Sequence, residues 1–466
     1  MKFSKSIIAA SVLAISMAGL SSCNIYKKYS TPDSTPITAE YKKALEAGPD
    51  SSTFGYTPWQ QVFTDPTLAS LIERALANNT NLRNAKLNVD IAHAQLKGAR
   101  LAYLPSLALA PSGQGSKFFD VPGADKWSWG YNIPLAANWE IDIFAKLLNS
   151  KRGAKMGYEM ARDYEQATRS QIIASVANVY YTLAMLQAQL EISRSTAALW
   201  EESVQTMKDL KEAGRLNEVA VVQSEAQTYS IKASIADIEV SLHEMNNTMS
   251  LLLNVPPQTF FVPAEAALNT PDIVRDAIPM RELAARPDVA AAEKNLAVAY
   301  YATNSARAAF YPSLSITATG GFTDMIGSMI MDPGKWFINL AGSLTAPLFS
   351  RGANISRLEA AKAQQKQAMN SFEYTLLNAS AEVSDAMMLY QKSLEKSGYL
   401  DLQAAKLANA VDYTQQLLKL GGEGTTYLDV ITAQQGLLQA QIGAISARNA
   451  ANRALINLYQ NLGGGK

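Results

Sequence analysis

The sequence predicts a mainly helical protein with a small β part, written as two tandem copies of one unit. Three observations carry this. The stretch "ARLAYLPSLALAPSGQG" at residues 99–115 returns as "ARAAFYPSLSITATGGF" at 306–322. Two long stretches, about 147–213 and 353–420, contain no proline. Short segments of strict apolar–polar alternation follow Pro105 and Pro312, where the hydrophobic period changes from 3.6 to 2.

The duplication holds well beyond the opening match. Pro105 and Pro312 lie 207 positions apart. At that offset Leu82, Ala85, Asn88 and Ala92 fall on Val289, Ala292, Asn295 and Ala299, Gly214 falls on Gly421, and Ala226-Gln227 falls on Ala433-Gln434. The register persists from about residue 70 to 460 of the 466, which is the signature of a tandem repeat. The expected division is repeat 1 over 65–255, a connecting segment over 256–280, repeat 2 over 281–462 and a tail over 463–466.

Each copy reads helix, strand, strand, long helix, long helix. The first helix is expected from about Pro66 to Tyr103, capped by Asp65 with Pro66 at its first position and stopped by Pro105. Its counterpart runs from about Arg281 to Phe310 and is stopped by Pro312. Strands follow at about 105–117 and 127–142, and at about 313–323 and 336–348. In 127–142, Trp127, Trp129, Tyr131, Ile133, Leu135, Ala137, Trp139 and Ile141 share one face, while Ser128, Gly130, Asn132, Ala136, Asn138, Glu140 and Asp142 lie on the other. Ile338, Leu340 and Leu344 alternate in the same way with Asn339, Ser343 and Thr345. This pattern fits a half-buried sheet or a transmembrane barrel strand, apolar outward and polar inward. Trp127, Trp129 and Trp139 near the strand ends favour the barrel, because aromatics anchor at membrane interfaces. Four strands cannot close a barrel, and an open edge in lipid leaves backbone groups unpaired. In a membrane the chain must therefore oligomerise, and a trimer supplies twelve strands.

The long helices are expected at about 147–213, 218–253, 353–420 and 427–462. Ile172, Val176, Val179, Leu183, Leu186 and Leu190 form a heptad seam, as do Met369, Phe372, Leu376, Ala379, Val383, Ala386 and Tyr390. Each long helix turns into its partner at glycine, Gly214 in one copy and Gly421, Gly422 and Gly424 in the other. Helix surfaces rich in Ala, Gln, Ser and Asn suit a wall of helices more than a solid core. His243 extends a seam of Val219, Val222, Ala226, Tyr229, Ala233, Ala236 and Val240, so it reads as a packing histidine, and His93 reads the same way.

Composition excludes several functions. Lys plus Arg and Asp plus Glu both number 41, giving no net charge and arguing against nucleic acid. Two histidines and one cysteine offer little to a metal or thiol enzyme, and no nucleotide loop or catalytic triad is found. No apolar run outside the N-terminus is long enough for a transmembrane helix. "MKFSKSIIAASVLAISMAGLSSC" is a secretory signal over 1–22. Its end, Leu20-Ser21-Ser22-Cys23, resembles the bacterial lipobox. That resemblance implies cleavage before Cys23, a covalent lipid on Cys23, and a lipid-anchored linker over 23–64, with no other cofactor. Asn24, not Asp, points to sorting to the outer membrane.

Six stretches resemble one family: "PWQQVFTDPTLASLIERALANNTNLRNA" (58–85), "ARLAYLPSL" (99–107), "WEIDIFAK" (139–146), "APLFSRG" (346–352), "YLDVITAQQ" (427–435) and "LGGG" (462–465). They are similar to the TolC-type outer membrane efflux proteins, in the lipoprotein branch serving resistance-nodulation-division pumps. The resemblance implies a homotrimeric duct in outer membrane lipids: a twelve-stranded β-barrel continued by a twelve-helix periplasmic α-barrel. It also implies a periplasmic adaptor and an inner-membrane pump as partners, and passive conduction of small molecules. Asp429 becomes a pore-gate carboxylate, and Gly214, Gly421 and Gly422 become adaptor-contact tips. The chain departs from the family at Ala145, where glycine is usual, and at Thr432, where a second acid is usual. A single Asp429 ring is then expected. The alternatives are an exit duct for protein secretion and a lipid-tethered coiled-coil scaffold without a pore.

Overall fold

The computed structural model describes residues 26–48, 54, 57–117, 119, 127–268, 283–326, 335–420 and 426–465. Cys23, Gly421 and Gly422 lie outside them. The elements, in order, are α1 (Pro36–Ala47), α2 (Trp59–Val62), α3 (Pro66–Asn78), α4 (Thr80–Leu101), β1 (Ser106–Leu109), β2 (Ser112–Ser116), β3 (Ser128–Ile141), α5 (Lys146–Glu212) and α6 (Glu218–Leu253). A short 3₁₀ turn (Ala264–Leu268) leads to α7 (Pro287–Ala308), β4 (Ser313–Ile326), β5 (Lys335–Thr345), α8 (Ala353–Leu420) and α9 (Tyr427–Asn461).

The chain divides by contacts into two units, Met1–Thr31, Asn88–Arg162 and Ala291–Glu373 in one, and Pro32–Leu87, Asp163–Ala290 and Tyr374–Lys466 in the other. Both copies contribute to both units, so the duplication is not a pair of side-by-side globules. The first unit holds the sheet. Its strands lie in the order β1-β3-β4-β5, with β2 also on β3, all antiparallel. The second unit holds the larger parts of α5 and α8 and the whole of α6 and α9.

The heptad seams of α5 and α8 are largely buried: Ile172, Val176, Leu183, Leu186 and Leu190 on α5, and Phe372, Leu376, Ala379, Val383, Ala386 and Tyr390 on α8. In the second unit α6 is tied to α5 by ion pairs, among them Arg194–Glu239 at 2.7 Å and Lys208–Glu225 at 2.8 Å. On α9, Arg448 reaches Asp401 of α8 at 2.6 Å. The two copies meet where α5 faces α9, with Gln189 Nε2 donating to Ser446 Oγ at 3.0 Å and Asn178 to Asn457 Oδ1 at 3.3 Å.

Three expectations are corrected. The first helix is not continuous: α3 ends at Asn78 and α4 starts at Thr80. The Asn79 side chain accepts from the backbone N–H groups of Asn81 and Leu82, and donates to Leu252 O at 2.9 Å. The run Asn78-Asn79-Thr80-Asn81 carried the signal, since Asn competes with the backbone inside a helix and favours caps. The first strand breaks into β1 and β2 at Ala110-Pro111, because proline has no N–H to give the ladder. Finally, the His243 seam is not covered by the described residues of this chain. Val219, Val222, Tyr229 and Val240 are exposed, and the buried side of α6 is Ala220, Val221, Ser224, Thr228 and Ile231. His243 is itself exposed, beside Asn247 Nδ2 at 3.2 Å. His93 is exposed too, its ring 5.5 Å from that of Tyr158. Periodicity identifies an apolar face but not what covers it.

Candidate functional site

Directly paired residues in a sheet share a face, so the register assigns both faces. One carries Leu107 and Leu109 of β1, Trp129, Ile133, Leu135, Trp139 and Ile141 of β3, Leu314, Ile316 and Phe322 of β4, and Trp336, Ile338, Leu340 and Leu344 of β5. Much of it is bare: Ile338 and Leu340 are each 72% exposed. The other face carries Ser112, Gln114, Asn132, Asn138, Ser315, Thr317, Thr319, Asn339, Ser343 and Thr345, and Thr317 Oγ1 donates to Asn138 Oδ1 at 2.8 Å. A continuous exposed apolar sheet backed by a hydroxyl and amide surface fits lipid on one side and water on the other. Strands β3 and β4 have 14 residues each. At about 3.3 Å per residue and a tilt near 40°, such strands cross roughly 35 Å, enough for the hydrocarbon core of a bilayer. Among the described residues β5 pairs only with β4, and β1 and β2 pair only with β3. Two edges are left for other strands.

The tryptophans sit at both ends of the apolar face. Trp127 and Trp129 stack at 5.5 Å at one end. Trp139, at the other, donates its indole N–H to Tyr103 O at 2.9 Å. Trp336, opposite Phe322 and 70% exposed, joins this set. It was legible in the sequence from its parity with Ile338 and Leu340.

The strand-to-helix turn after β3 is built by Asp142, whose carboxylate accepts from the N–H groups of Leu147 and Leu148 at 3.1 and 2.7 Å. Ala145 adopts φ +59° there, a left-handed conformation, and the equivalent position in copy two is Gly352 at φ +79°. The glycine usual at Ala145 is thus explained, and this chain carries a strained alanine instead.

Of the tip residues, Gly214 ends α5 at φ +70°. Gly214 N donates to Lys211 O and Arg215 N to Leu210 O, each at 2.9 Å, which completes a Schellman motif. A Cβ at Gly214 would meet nothing within 4 Å, so conformation and not crowding demands glycine. Asn217 then caps α6, accepting from Ala220 N at 3.2 Å. Asp429 stands exposed at the third position of α9. Its Oδ2 accepts from Thr426 N at 2.7 Å and from Thr426 Oγ1 at 2.8 Å. The backbone N–H of Thr426, and then its hydroxyl, hold the Asp429 carboxyl below its ordinary pKa. Within one chain Asp429 is a capping-box acid.

Two further clusters were not read from the sequence. Arg286 is 5% exposed. It grips Asp288 with two nitrogens, at 3.0 and 2.7 Å, reaches Glu382 at 2.7 Å, and donates to Asn461 O at 3.1 Å. Its position matches Asn79 of copy one at the 207-residue offset, and both tie a helix start to the end of the last helix of their copy. The motif "RPD" before an apolar helix was the available signal. The C-terminal "LGGG" is a clasp: Gly465 O accepts from Gln166 and Arg169, each at 3.0 Å, and Gly464 O accepts from Ser170 Oγ. A Cβ on Gly464 would lie 2.5 Å from the Tyr459 ring, so the close approach requires glycine.

After Cys23 the chain is strapped to α7. Tyr29 N donates to Tyr301 OH at 3.1 Å, Tyr300 OH to Lys27 O at 3.1 Å, and Thr31 Oγ1 to Glu293 at 2.5 Å. Burial pushes the Tyr29 phenol above its ordinary pKa.

The sequence profile of the outer membrane efflux proteins matches residues 71–255 and 278–464. The toluene efflux pump outer membrane protein TtgC of Pseudomonas putida is 28% identical over 99% of this chain and 96% of its own length. The probable outer membrane lipoprotein SilC of Salmonella typhimurium is 28% identical over 90% of each chain. Among solved structures, CusC, described in terms of folding and transmembrane channel formation, superposes with a TM-score of 0.83 at 25% identity, over 95% of this chain and all of that one.

Proposed function

Since the chain belongs to the outer membrane efflux protein family and is an outer membrane efflux channel, not an enzyme, we propose that three copies complete one duct. The duct conducts small molecules delivered by a periplasmic adaptor and an inner-membrane pump of the resistance-nodulation-division type. One observation carries the reading: a lipid-facing sheet whose two edges have no partner among the described residues of the chain. Open edges are not tolerated in hydrocarbon, and three four-strand sheets joined edge to edge give a closed twelve-stranded barrel.

The helices support the same assembly. Exposed apolar residues gather on the two helices that flank the α5–α9 contact. On α6 they are Val219, Val222, Tyr229, Val240 and Leu251, spaced by three, seven or eleven. On α8, Tyr374, Leu377, Met388, Tyr399, Leu402, Tyr413 and Leu417 follow steps of three, four or eleven. Each set is one stripe of a helix. The α6 stripe of one copy against the α8 stripe of the next covers both.

At the tips, Asp429 from three chains forms a ring of carboxylates that narrows the entrance, and Gly214, Gly421 and Gly422 meet the adaptor. Cys23, four residues before Lys27 of the strap, carries the lipid. Trp127, Trp129 and Trp139 hold the barrel at the two interfaces.

The test is assembly and conductance together. The purified lipoprotein runs as a heat-modifiable trimer and opens stepwise conductances in planar bilayers. A monomer without conductance is the result for a tethered scaffold, and it overturns the duct. Replacing Gly214 by a bulky residue weakens adaptor cross-linking while trimers persist. Deletion followed by profiling against drugs, dyes, bile salts and metals identifies the cargo.

A further inference from the structure

We propose that the corner where α4 and α5 meet the sheet is a docking surface for anionic phospholipid headgroups of the periplasmic leaflet. The proposal rests on the duct reading, which puts this end of the sheet at that leaflet, and it adds the lipid that the corner recognises.

The corner lies within the unit that holds the sheet. Trp139 closes the apolar face at the end of β3 that leads into α5. Its indole N–H donates to Tyr103 O at 2.9 Å, and Lys151 Nζ stands 5.0 Å from the centre of the Tyr103 ring. Tyr103 thus links the interfacial tryptophan to a cation of α5. Further along the same two helices, the rings of His93 and Tyr158 lie 5.5 Å apart. These two contacts make α4 and α5 antiparallel, because a step towards the sheet on one is matched by a step back along the other. Seven residues separate His93 from Arg100, and seven separate Lys151 from Tyr158. At equal rise Arg100 is therefore level with Lys151, and Lys97 is level with Ala154, beside Lys155. His93, Lys97 and Arg100 follow steps of four and three on α4, as Lys151, Lys155 and Tyr158 do on α5, so each set is one stripe and the two stripes adjoin.

Four cations gather there. Lys97, Arg100 and Lys155 are exposed, and Lys151 is half-buried. Glu159 stands 3.5 Å from Lys155, while Lys97, Arg100 and Lys151 make no ion pair among the described residues. In the other unit the cations are matched by acids, as in Arg194–Glu239, Lys208–Glu225 and Lys232–Glu201. The charge that answers the corner comes from outside the chain.

The surroundings select its carrier. Leu101 and Leu104, on either side of Tyr103, are exposed. The corner is apolar towards the sheet and cationic away from it, the order of acyl chain and phosphate in a phospholipid. A headgroup layer is about 5–8 Å deep. Lys151 lies about 7.5 Å along α5 from its first residue, and long lysine and arginine stems span such a depth. Arginine offers a fork of donors to phosphate oxygens. A zwitterionic headgroup brings its own ammonium, which offsets part of the attraction, so the corner fits a headgroup of net negative charge. The strap adds Lys27 and Lys28, both exposed and four and five residues after Cys23. A covalent lipid and a basic surface then act together as two anchoring signals.

The experiment is lipid selectivity, measured on the full trimer. The lipoprotein is reconstituted in phosphatidylcholine vesicles with a trace of spin-labelled phosphatidylglycerol or spin-labelled phosphatidylcholine. Electron paramagnetic resonance reads the motionally restricted fraction of each label. The expected result is association of phosphatidylglycerol about threefold or more stronger at low salt, falling towards equality in about 1 M salt. Arg100→Gln with Lys151→Gln brings the two lipids to near equality, and Lys97→Gln with Lys155→Gln repeats the test if the first pair fails to assemble. Lys208→Gln with Lys232→Gln, an equal loss of charge elsewhere, keeps the parent ratio. Equal association of both lipids with the parent overturns the docking surface and leaves the duct intact. A preference that survives both corner variants does the same. A preference abolished by inorganic phosphate, but not by chloride at the same ionic strength, assigns the corner to free phosphate and overturns the lipid. No restricted fraction for either label places the sheet outside the bilayer, which overturns the duct and the proposal with it.

Discussion

Ile338→Arg and Asn339→Arg are adjacent in sequence and opposite in consequence. Ile338 pairs with Gly320, and Gly320 with Leu135, which puts it near the middle of the sheet on the apolar face, 72% exposed in the single chain. An arginine on the lipid side at mid-depth costs about 2–4 kcal/mol per chain, and three copies meet in one barrel, so the closed sheet loses roughly 6–12 kcal/mol if the sites are independent. That is comparable to the whole stability of an ordinary domain. At Asn339 the same arginine points into water and costs roughly 0.5 kcal/mol or less. Leu344→Arg is intermediate in placement: Leu344 pairs with Leu314, and Leu314 with Ile141, at the sheet end, where the cost falls to about 0–1 kcal/mol. The assay is the fraction of heat-modifiable trimer in outer membrane fractions, read on semi-native gels at matched expression. Ile338→Arg removes trimers, Asn339→Arg keeps them, and Leu344→Arg lies near the parent. Equal loss at 338 and 339, or loss at 339 alone, refutes the assignment of faces and with it the membrane placement of the sheet.

Ala145→Gly relieves a left-handed alanine and raises stability by about 0.5–1 kcal/mol, or roughly 1–3 °C in thermal unfolding of the trimer; a lowered melting temperature contradicts the strain. Arg286→Met removes the cation shared by Asp288 and Glu382 and the donor to Asn461 O. Both carboxylates are more than a third exposed and rehydrate in part, so the loss is about 2–3 kcal/mol, below that of a fully buried pair. Burial works to raise the Asp288 carboxyl, but the hydrogen bonds and charge of Arg286 outweigh it and the net pKa is lowered. A depressed folded pKa contributes stability that is complete above the ordinary aspartate value near 4 and is lost as the pH falls through the lowered one. That acid limb disappears in Arg286→Met, which unfolding followed from pH 7 to 2 will show. Asp429→Ala raises single-channel conductance at neutral pH, and the parent approaches the variant only in acid, because Thr426 holds the carboxyl low; identical conductance at every pH counts against a gate there.

The sequence by itself determined the duplication, the identity and approximate extent of the long helices, the alternating strands and the glycine turn at Gly214. These are local or periodic properties: a heptad seam, a parity of two, a cap or a left-handed turn is written in neighbouring residues. Asp65 before Pro66 is a clear case, and its carboxylate does accept from Thr67 and Leu68. Parity likewise sorted Trp129 from Asn138. Tertiary structure alone decided what the periodic faces meet. The Val219–Val240 stripe looked like a seam for a helix of its own chain, yet Ala220, Val221, Ser224, Thr228 and Ile231 fill that contact, and the apolar stripe is left bare. Arg286, Asp288 and Glu382 are brought together from positions up to 96 residues apart, and the "LGGG" tail closes on α5 nearly 300 residues earlier in the chain. Such meetings depend on which surfaces the folded chain leaves uncovered, and burial is a property of the assembled surface that no local pattern carries.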